Sequence, residues 1–142
     1  MGLFSIIFYL VAICKPVENN NLIHGDLVLK LSELRNKKGK ILINLFSSDK
    51  GFPDNEKNVF KFWVEEPKQK ITLTNIPAGN YALSLLHDED GNRKMTTNFL
   101  GFPKEGFAFS NFKASLLNIP KFEEAKFEHK KTGTVLQLKI IY

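Results

Sequence analysis

From Leu22 onward the apolar residues fall into short segments that alternate at every second position, and no window shows a helical stripe. Leu27, Leu29 and Leu31 share one face, with Asp26, Lys30 and Ser32 on the other. Ile41, Ile43 and Leu45 repeat the pattern after the turn residues Asn36, Lys37, Lys38 and Gly39, which predicts a hairpin joining the two segments. Phe60, Phe62 and Val64 alternate next. Ile71, Leu73 and Asn75 follow beyond Pro67. Past the turn at Pro77 and Gly79, Tyr81, Leu83 and Leu85 alternate with Ala82, Ser84 and Leu86. Phe107 and Phe109 form a short run, and Ala125 and Phe127 begin a penultimate strand. Leu136, Leu138, Ile140 and Tyr142 close the series after Thr132 and Gly133. Ser48 to Asn58 is expected to hold at most one helical turn. A period of two means a pleated segment with one buried face. Seven or eight such segments predict an all-β fold: an antiparallel two-sheet sandwich, Ig-like or prealbumin-like.

The chain has 142 residues, enough for one domain whose core needs neither disulfides nor metal. Its net charge is +5, and of 20 basic residues only Arg35 and Arg93 are arginines. Nucleic-acid readers concentrate positive charge and use arginine for bidentate contacts. Here lysines are scattered from Lys15 to Lys139, so the reading is a solvated lysine surface and no nucleic-acid partner.

The segment from Leu3 to Ile13 is an apolar run interrupted only by Ser5, about half the ~20 residues needed to span a bilayer. Its length suits the core of a secretory signal peptide, although only the terminal amine supplies positive charge before it. Ala12 and Cys14 occupy the small-residue positions of a cleavage site. Two routes fit. Signal peptidase cuts after Cys14, or Cys14 is lipidated, since Val11-Ala12-Ile13-Cys14 resembles a bacterial lipobox with an unfavourable Ile13. The expected organisation is a leader over 1–14, a polar linker over 15–21 and the sandwich over 22–142. Export places the mature domain in the periplasm, on the outer membrane or outside the cell. Membrane attachment is expected only through a lipid at Cys14.

Between two strands lies the segment from His87 to Asn98. Asp88, Asp90 and Asn92 are spaced by two, as in the opening of a calcium loop. Arg93 stands where the sharp-turn glycine would be, Phe99 where the bidentate Glu would be, and Thr96 offers only a hydroxyl. The segment therefore reads either as an Asx-rich turn or as a degenerate cation site using Asp88, Asp90 and Asn92. Calcium is the one cofactor this pattern suggests; otherwise none is expected. Five phenylalanines follow: Phe99, Phe102, Phe107, Phe109 and Phe112. They either pin a crossover onto the core or form an aromatic platform for glycan or peptide. His87, Asn98, Phe102, Phe107 and Phe109 mark that candidate surface. No catalytic motif stands out: there is no G-x-S-x-G, no H-E-x-x-H and no glycine-rich phosphate loop.

Ile76-Pro77-Ala78-Gly79-Asn80-Tyr81-Ala82, His87-Asp88-Glu89-Asp90-Gly91-Asn92, Asn98 through Gly106, and Phe109-Ser110-Asn111 follow one another in the order seen in one family. In these motifs the chain resembles the domain of unknown function 2141 family over roughly Leu22 to Tyr142. The resemblance implies a small exported bacterial β-sandwich, related in style to transthyretin-like and carboxypeptidase-regulatory-like domains, with no assigned activity. It also implies an Asp where this chain has Thr96, so only Asp88, Asp90 and Asn92 carry over as ligands. The functional expectation is a non-catalytic binding or structural module of the bacterial cell envelope, with an envelope protein or glycan as partner. The alternative is a weak cation-dependent carbohydrate binder built on the His87 to Asn98 loop.

Overall fold

The computed structural model describes residues 24–53, 59–113 and 118–142. The leader, the linker and Cys14 lie outside the described residues, as does part of the segment expected to hold a helical turn. Its described part, residues 48–53, forms bends and turns. Among the described residues, no helix is long and apolar enough to cross a membrane.

The elements are β1 (His24–Ser32), β2 (Lys40–Phe46), β3 (Val59–Val64), β4 (Lys70–Pro77), β5 (Gly79–Asp88), β6 (Gly106–Phe109), α1 (Phe122–Ala125), β7 (Lys126–His129) and β8 (Thr134–Lys139). The eight strands form two sheets. One has the order β4-β1-β8, and the other has the order β3-β2-β5-β6 with β7 also on β5. All pairings are antiparallel except β1 with β8, which run parallel. The fold is thus an all-β two-sheet sandwich.

Alternation predicted the inward faces of β1, β2, β5 and β8 correctly. Leu27, Leu29, Ile41, Ile43, Leu45 and Leu83 have no exposed surface; Leu27 and Leu29 share the smaller sheet with Leu136 and Leu138, and that layer packs in one core with Ile41, Ile43, Leu45 and Leu83 of the larger sheet. Burying a side chain of this size contributes about 1.5–3 kcal/mol. The partners, however, differ from the expected hairpin. β1 and β2 lie in opposite sheets, and residues 33–39 cross between them. An inward apolar face looks the same in sequence whether its neighbour is hydrogen-bonded beside it or packed against it. Glu33, at φ 63°, turns the chain out of the first sheet.

Asn75 also departs from the expected face. It is exposed with φ 60°, and the β1–β4 register slips there, so that Ile76 returns to the core. A one-residue bulge reverses the side of every residue beyond it. The chain then turns the corner from β4 to β5, where the Tyr81 hydroxyl donates to the Pro77 carbonyl at 3.0 Å. Burial raises the Tyr81 pKa above its ordinary value.

β6 and β7 lie along the same edge of β5, beside residues 84–87 and 79–82 respectively. Of the residues expected to begin the penultimate strand, Phe127 lies in β7, whereas Ala125 closes the helical turn α1 before it. Lys121 N–H donates to the Glu124 carboxylate at 2.7 Å, and Phe122 and Ala125 are buried. This helical turn, with Phe52, covers Phe46 and Ala82 on the outer face of the larger sheet. Phe52 meets Phe46, Phe109 and Phe122 edge-on, with centroids 5.2, 5.9 and 6.1 Å away. On the β6 side, Phe107 and Ile141 exchange both backbone hydrogen bonds at 2.9 Å and lace the two sheets together. On the opposite side, a cleft of about 400 Å³ opens between β3 and β4.

Candidate functional site

Residues 88–105 leave β5 and return to β6, and their fold is set by carboxylates that bind backbone N–H groups. Asp88 has no exposed surface. Its Oδ1 accepts from Gly91 N at 2.9 Å and its Oδ2 from Arg93 N at 3.0 Å. Both donors belong to left-handed residues, Gly91 at φ 78° and Arg93 at φ 67°. The Asx turns continue outward. Asp90 Oδ1 accepts from Asn92 N at 3.0 Å, and Asn92 Oδ1 accepts from Lys94 N at 2.8 Å. Asp90 Oδ2 accepts from the Thr96 hydroxyl at 2.7 Å. That hydroxyl, with the Asn92 N–H next, holds the Asp90 pKa below its ordinary value.

Glu105 ties the far end of the segment to its start. It is 3% exposed. Its Oε1 accepts from Glu89 N at 2.9 Å and Asp90 N at 3.2 Å, and its Oε2 accepts from Thr96 N at 2.9 Å. Sequence reasoning missed this residue. The available signal was a lone acid between Lys104 and the apolar run of β6. Asp88, Asp90 and Glu105 thereby come together, with one oxygen of each within 4.8 Å of the others.

Between Thr96 and Glu105 the chain forms a small hairpin. Lys104 N donates to Thr96 O at 2.8 Å, Thr97 bridges to Pro103, and Asn98 N donates to Phe102 O at 2.9 Å. Asn98 Oδ1 accepts from Leu100 N at 2.9 Å and Phe102 N at 3.0 Å, filling the inside of the turn. The apex is apolar and open to solvent: Phe99 is 94% exposed, Leu100 65% and Phe102 36%.

A second network fastens the 33–39 crossover to this segment. Arg35 forms a bidentate ion pair with Glu89, which also accepts from the Asn36 amide. The Arg35 hydrogen bond holds the Glu89 pKa below the ordinary carboxylate range, and the same bond raises that of Arg35. The guanidinium lies 4.1 Å from the centre of the Tyr142 ring, a cation–π contact. His87 is fully buried. Its Nε2 faces the Lys38 carbonyl at 2.8 Å, so that nitrogen carries the proton and donates. Nδ1 accepts from the Tyr142 hydroxyl at 2.7 Å, and that oxygen accepts from Arg35 N at 3.3 Å. Burial raises the Tyr142 pKa. Tyr142→Phe is expected to lower stability by about 1–2 kcal/mol, because it leaves a buried imidazole nitrogen without a donor. Urea unfolding of the two proteins measures the difference.

A depression of about 470 Å³ beside these groups is lined by Arg35, Asn36, Lys38, Glu89, Asp90, Thr96, Lys104 and Glu105. The family model described as an uncharacterized protein conserved in bacteria, domain of unknown function 2141, matches residues 29–137. The chain belongs to this family. No curated protein and no solved structure matches it.

In this member of the 2141 family, the residues expected to form one surface occupy different layers. Asp88 and Asp90 meet Glu105, while Asn92 braces Asp90 from outside. His87 is inside the domain, and Asn98 stitches the hairpin turn. Phe107 and Phe109 lie on the outer face of the larger sheet at 7% and 8% exposure. Only Phe102, with the neighbouring Phe99 and Leu100, faces solvent at the hairpin tip. Thr96, where the family resemblance implies an Asp, donates to Asp90 instead of adding a further charge.

Proposed function

We propose that this chain is a non-catalytic binding module of the bacterial cell envelope, exported and held in the periplasm, on the outer membrane or outside. Its contact element is the 98–102 turn. The observation that carries this reading is the exposure of Phe99 and Leu100 on a turn braced by Asn98 and rooted by Glu105. An isolated exposed apolar residue is ordinary, but two consecutive ones at a braced apex form a ready contact with little ordering cost. The engaged state of the ionisable groups supports binding over catalysis. Both His87 nitrogens and both oxygens of Asp88 and Glu105 are occupied by hydrogen bonds within the domain.

A photo-crosslinking residue at position 99, in protein expressed in bacterial cells, should give discrete adducts in envelope fractions. The same residue at Val135, an exposed position on the smaller sheet, should not. Equal adduct patterns at both positions would remove the reading.

The clustered oxygens of Asp88, Asp90 and Glu105 favour a second reading, a weak calcium-dependent binder of carbohydrate. Carboxylate oxygens that accept one N–H keep a lone pair for a cation, although a competent site offers 6–8 oxygens. A calorimetric calcium titration decides. Heat accompanied by a rise in Tm supports this reading, and the absence of both ends it.

A further inference from the structure

We infer that the 98–102 turn inserts into an anionic lipid surface, docking the module on a bilayer through its own side chains. This inference deepens the binding reading above and rests on it. The apex is convex, so the partner must supply the apolar surroundings. Phe99, Leu100 and Phe102 project together from a two-stranded stem whose hydrogen bonds are satisfied within the turn. About three residues of extended chain separate the Thr96–Lys104 rung from the apex, a reach of roughly 10 Å. Apolar groups of interfacial elements penetrate about 5–10 Å, to the boundary of headgroups and acyl chains. With the apex at that depth, the rung stands at headgroup level.

The charges at that level have the required sign. Lys94 and Lys104 flank the foot of the hairpin, Lys38 lines the depression beside it, and Lys37 is adjacent. All four are exposed, and none forms an ion pair among the described residues. Three of the acids at this end are sequestered. Asp88 and Glu105 are buried, and Glu89 is held by Arg35. Glu33, Glu65, Glu66 and Asp90 remain exposed, Glu65 in an ion pair with Lys40, but with Lys68 and Lys70 at the same end the exposed lysines outnumber these acids. Cationic side chains beneath an apolar tip match a negatively charged leaflet. A second copy of this chain is a poorer acceptor, because its cleft between β3 and β4 is half polar and carries Lys68. Like charges would oppose a lysine-footed tip entering it.

The test uses the full chain with Trp63 replaced by Phe and a single indole placed by Phe99→Trp or, as control, by Val135→Trp. Vesicles of brominated phosphatidylglycerol and of brominated phosphatidylcholine are the probes. The expected result is a blue shift and quenching for Phe99→Trp on phosphatidylglycerol, weaker on phosphatidylcholine and at raised salt, with the control indole unquenched. In the chain retaining Trp63, Phe99→Ser with Leu100→Ser should lower phosphatidylglycerol vesicle affinity roughly tenfold or more. Both sites are exposed, so folding should be unaffected, as near-ultraviolet circular dichroism would verify. An unquenched indole at position 99, equal quenching at both positions, or unchanged affinity of the double serine variant overturns the inference. If lipid contact fails while crosslinks to an envelope protein persist from position 99, the binding reading stands and this inference falls. If both fail, both fall.

Discussion

Glu105→Ala is expected to lower stability by about 3 kcal/mol and to release the hairpin from the sandwich. One carboxylate accepts three backbone N–H groups, from Glu89, Asp90 and Thr96. Hydrogen bonds to a charged acceptor contribute about 1.5–3 kcal/mol each, and water recovers part of that once the site opens. Only three of the donors' contacts are lost, whereas the sheet ladders are untouched, so the effect should be local before it is global. Amide exchange should accelerate at Thr96, Asn98 and Lys104 while Leu29 and Leu83 stay protected. A uniform acceleration at all these amides would mean that Glu105 supports the whole core and not the hairpin alone. Glu105→Gln should fall between the two, because its amide keeps one acceptor oxygen but turns an NH₂ toward backbone donors.

Gly39→Ala is expected to cost about 3 kcal/mol or more. Gly39 sits at φ +66°, and an added Cβ would come 1.9 Å from the Asp88 carbonyl oxygen and 2.6 Å from Glu89 Cα. Those are backbone atoms of β5 and the residue after it, and they cannot rotate away. The crossover would have to lift, stretching the His87 bond to Lys38 and the Arg35–Glu89 pair. Gly91 supplies the control. It is also left-handed, at φ +78°, but a Cβ there meets nothing within 4 Å. Gly91→Ala should therefore cost only about 1 kcal/mol, from backbone strain alone. The gap between the two urea midpoints isolates the close approach of the crossover to β5. Equal midpoints would show that left-handed geometry, not contact, governs position 39.

The different fates of the sequence expectations follow from what a side-chain pattern encodes. Alternation at Leu27, Leu29 and Leu31, or at Ile41, Ile43 and Leu45, reports which side of a strand is dry. It does not report whether the neighbour is beside the strand or across the core, and the expected β1–β2 hairpin failed on that point. Asn75 broke its own alternation because left-handed geometry there inserts a residue into β4. In the 88–105 segment, Asp88, Asp90 and Asn92 were legible because their partners lie two to six residues away. Glu105 was not, because its partners Glu89 and Asp90 are 16 and 15 residues distant. The Phe-rich stretch looked uniform in sequence. The sheet divides it: β6 turns Phe107 and Phe109 onto one face, while the hairpin carries Phe99 away from any strand that could cover it.

The parallel pairing of β1 with β8 has a consequence for how the molecule is made. A chain emerging from the ribosome can join β2, β3 and β5 early. The strand at the centre of the smaller sheet must wait for residues 134–139 before its second edge is occupied. Until then Leu29 and Leu31 lack Leu136 and Leu138 beside them, and the unpaired edge is open to another nascent molecule. Closure depends on contacts between strands far apart in sequence, a topology that slows folding and delays its final step until residues 134–139 have emerged.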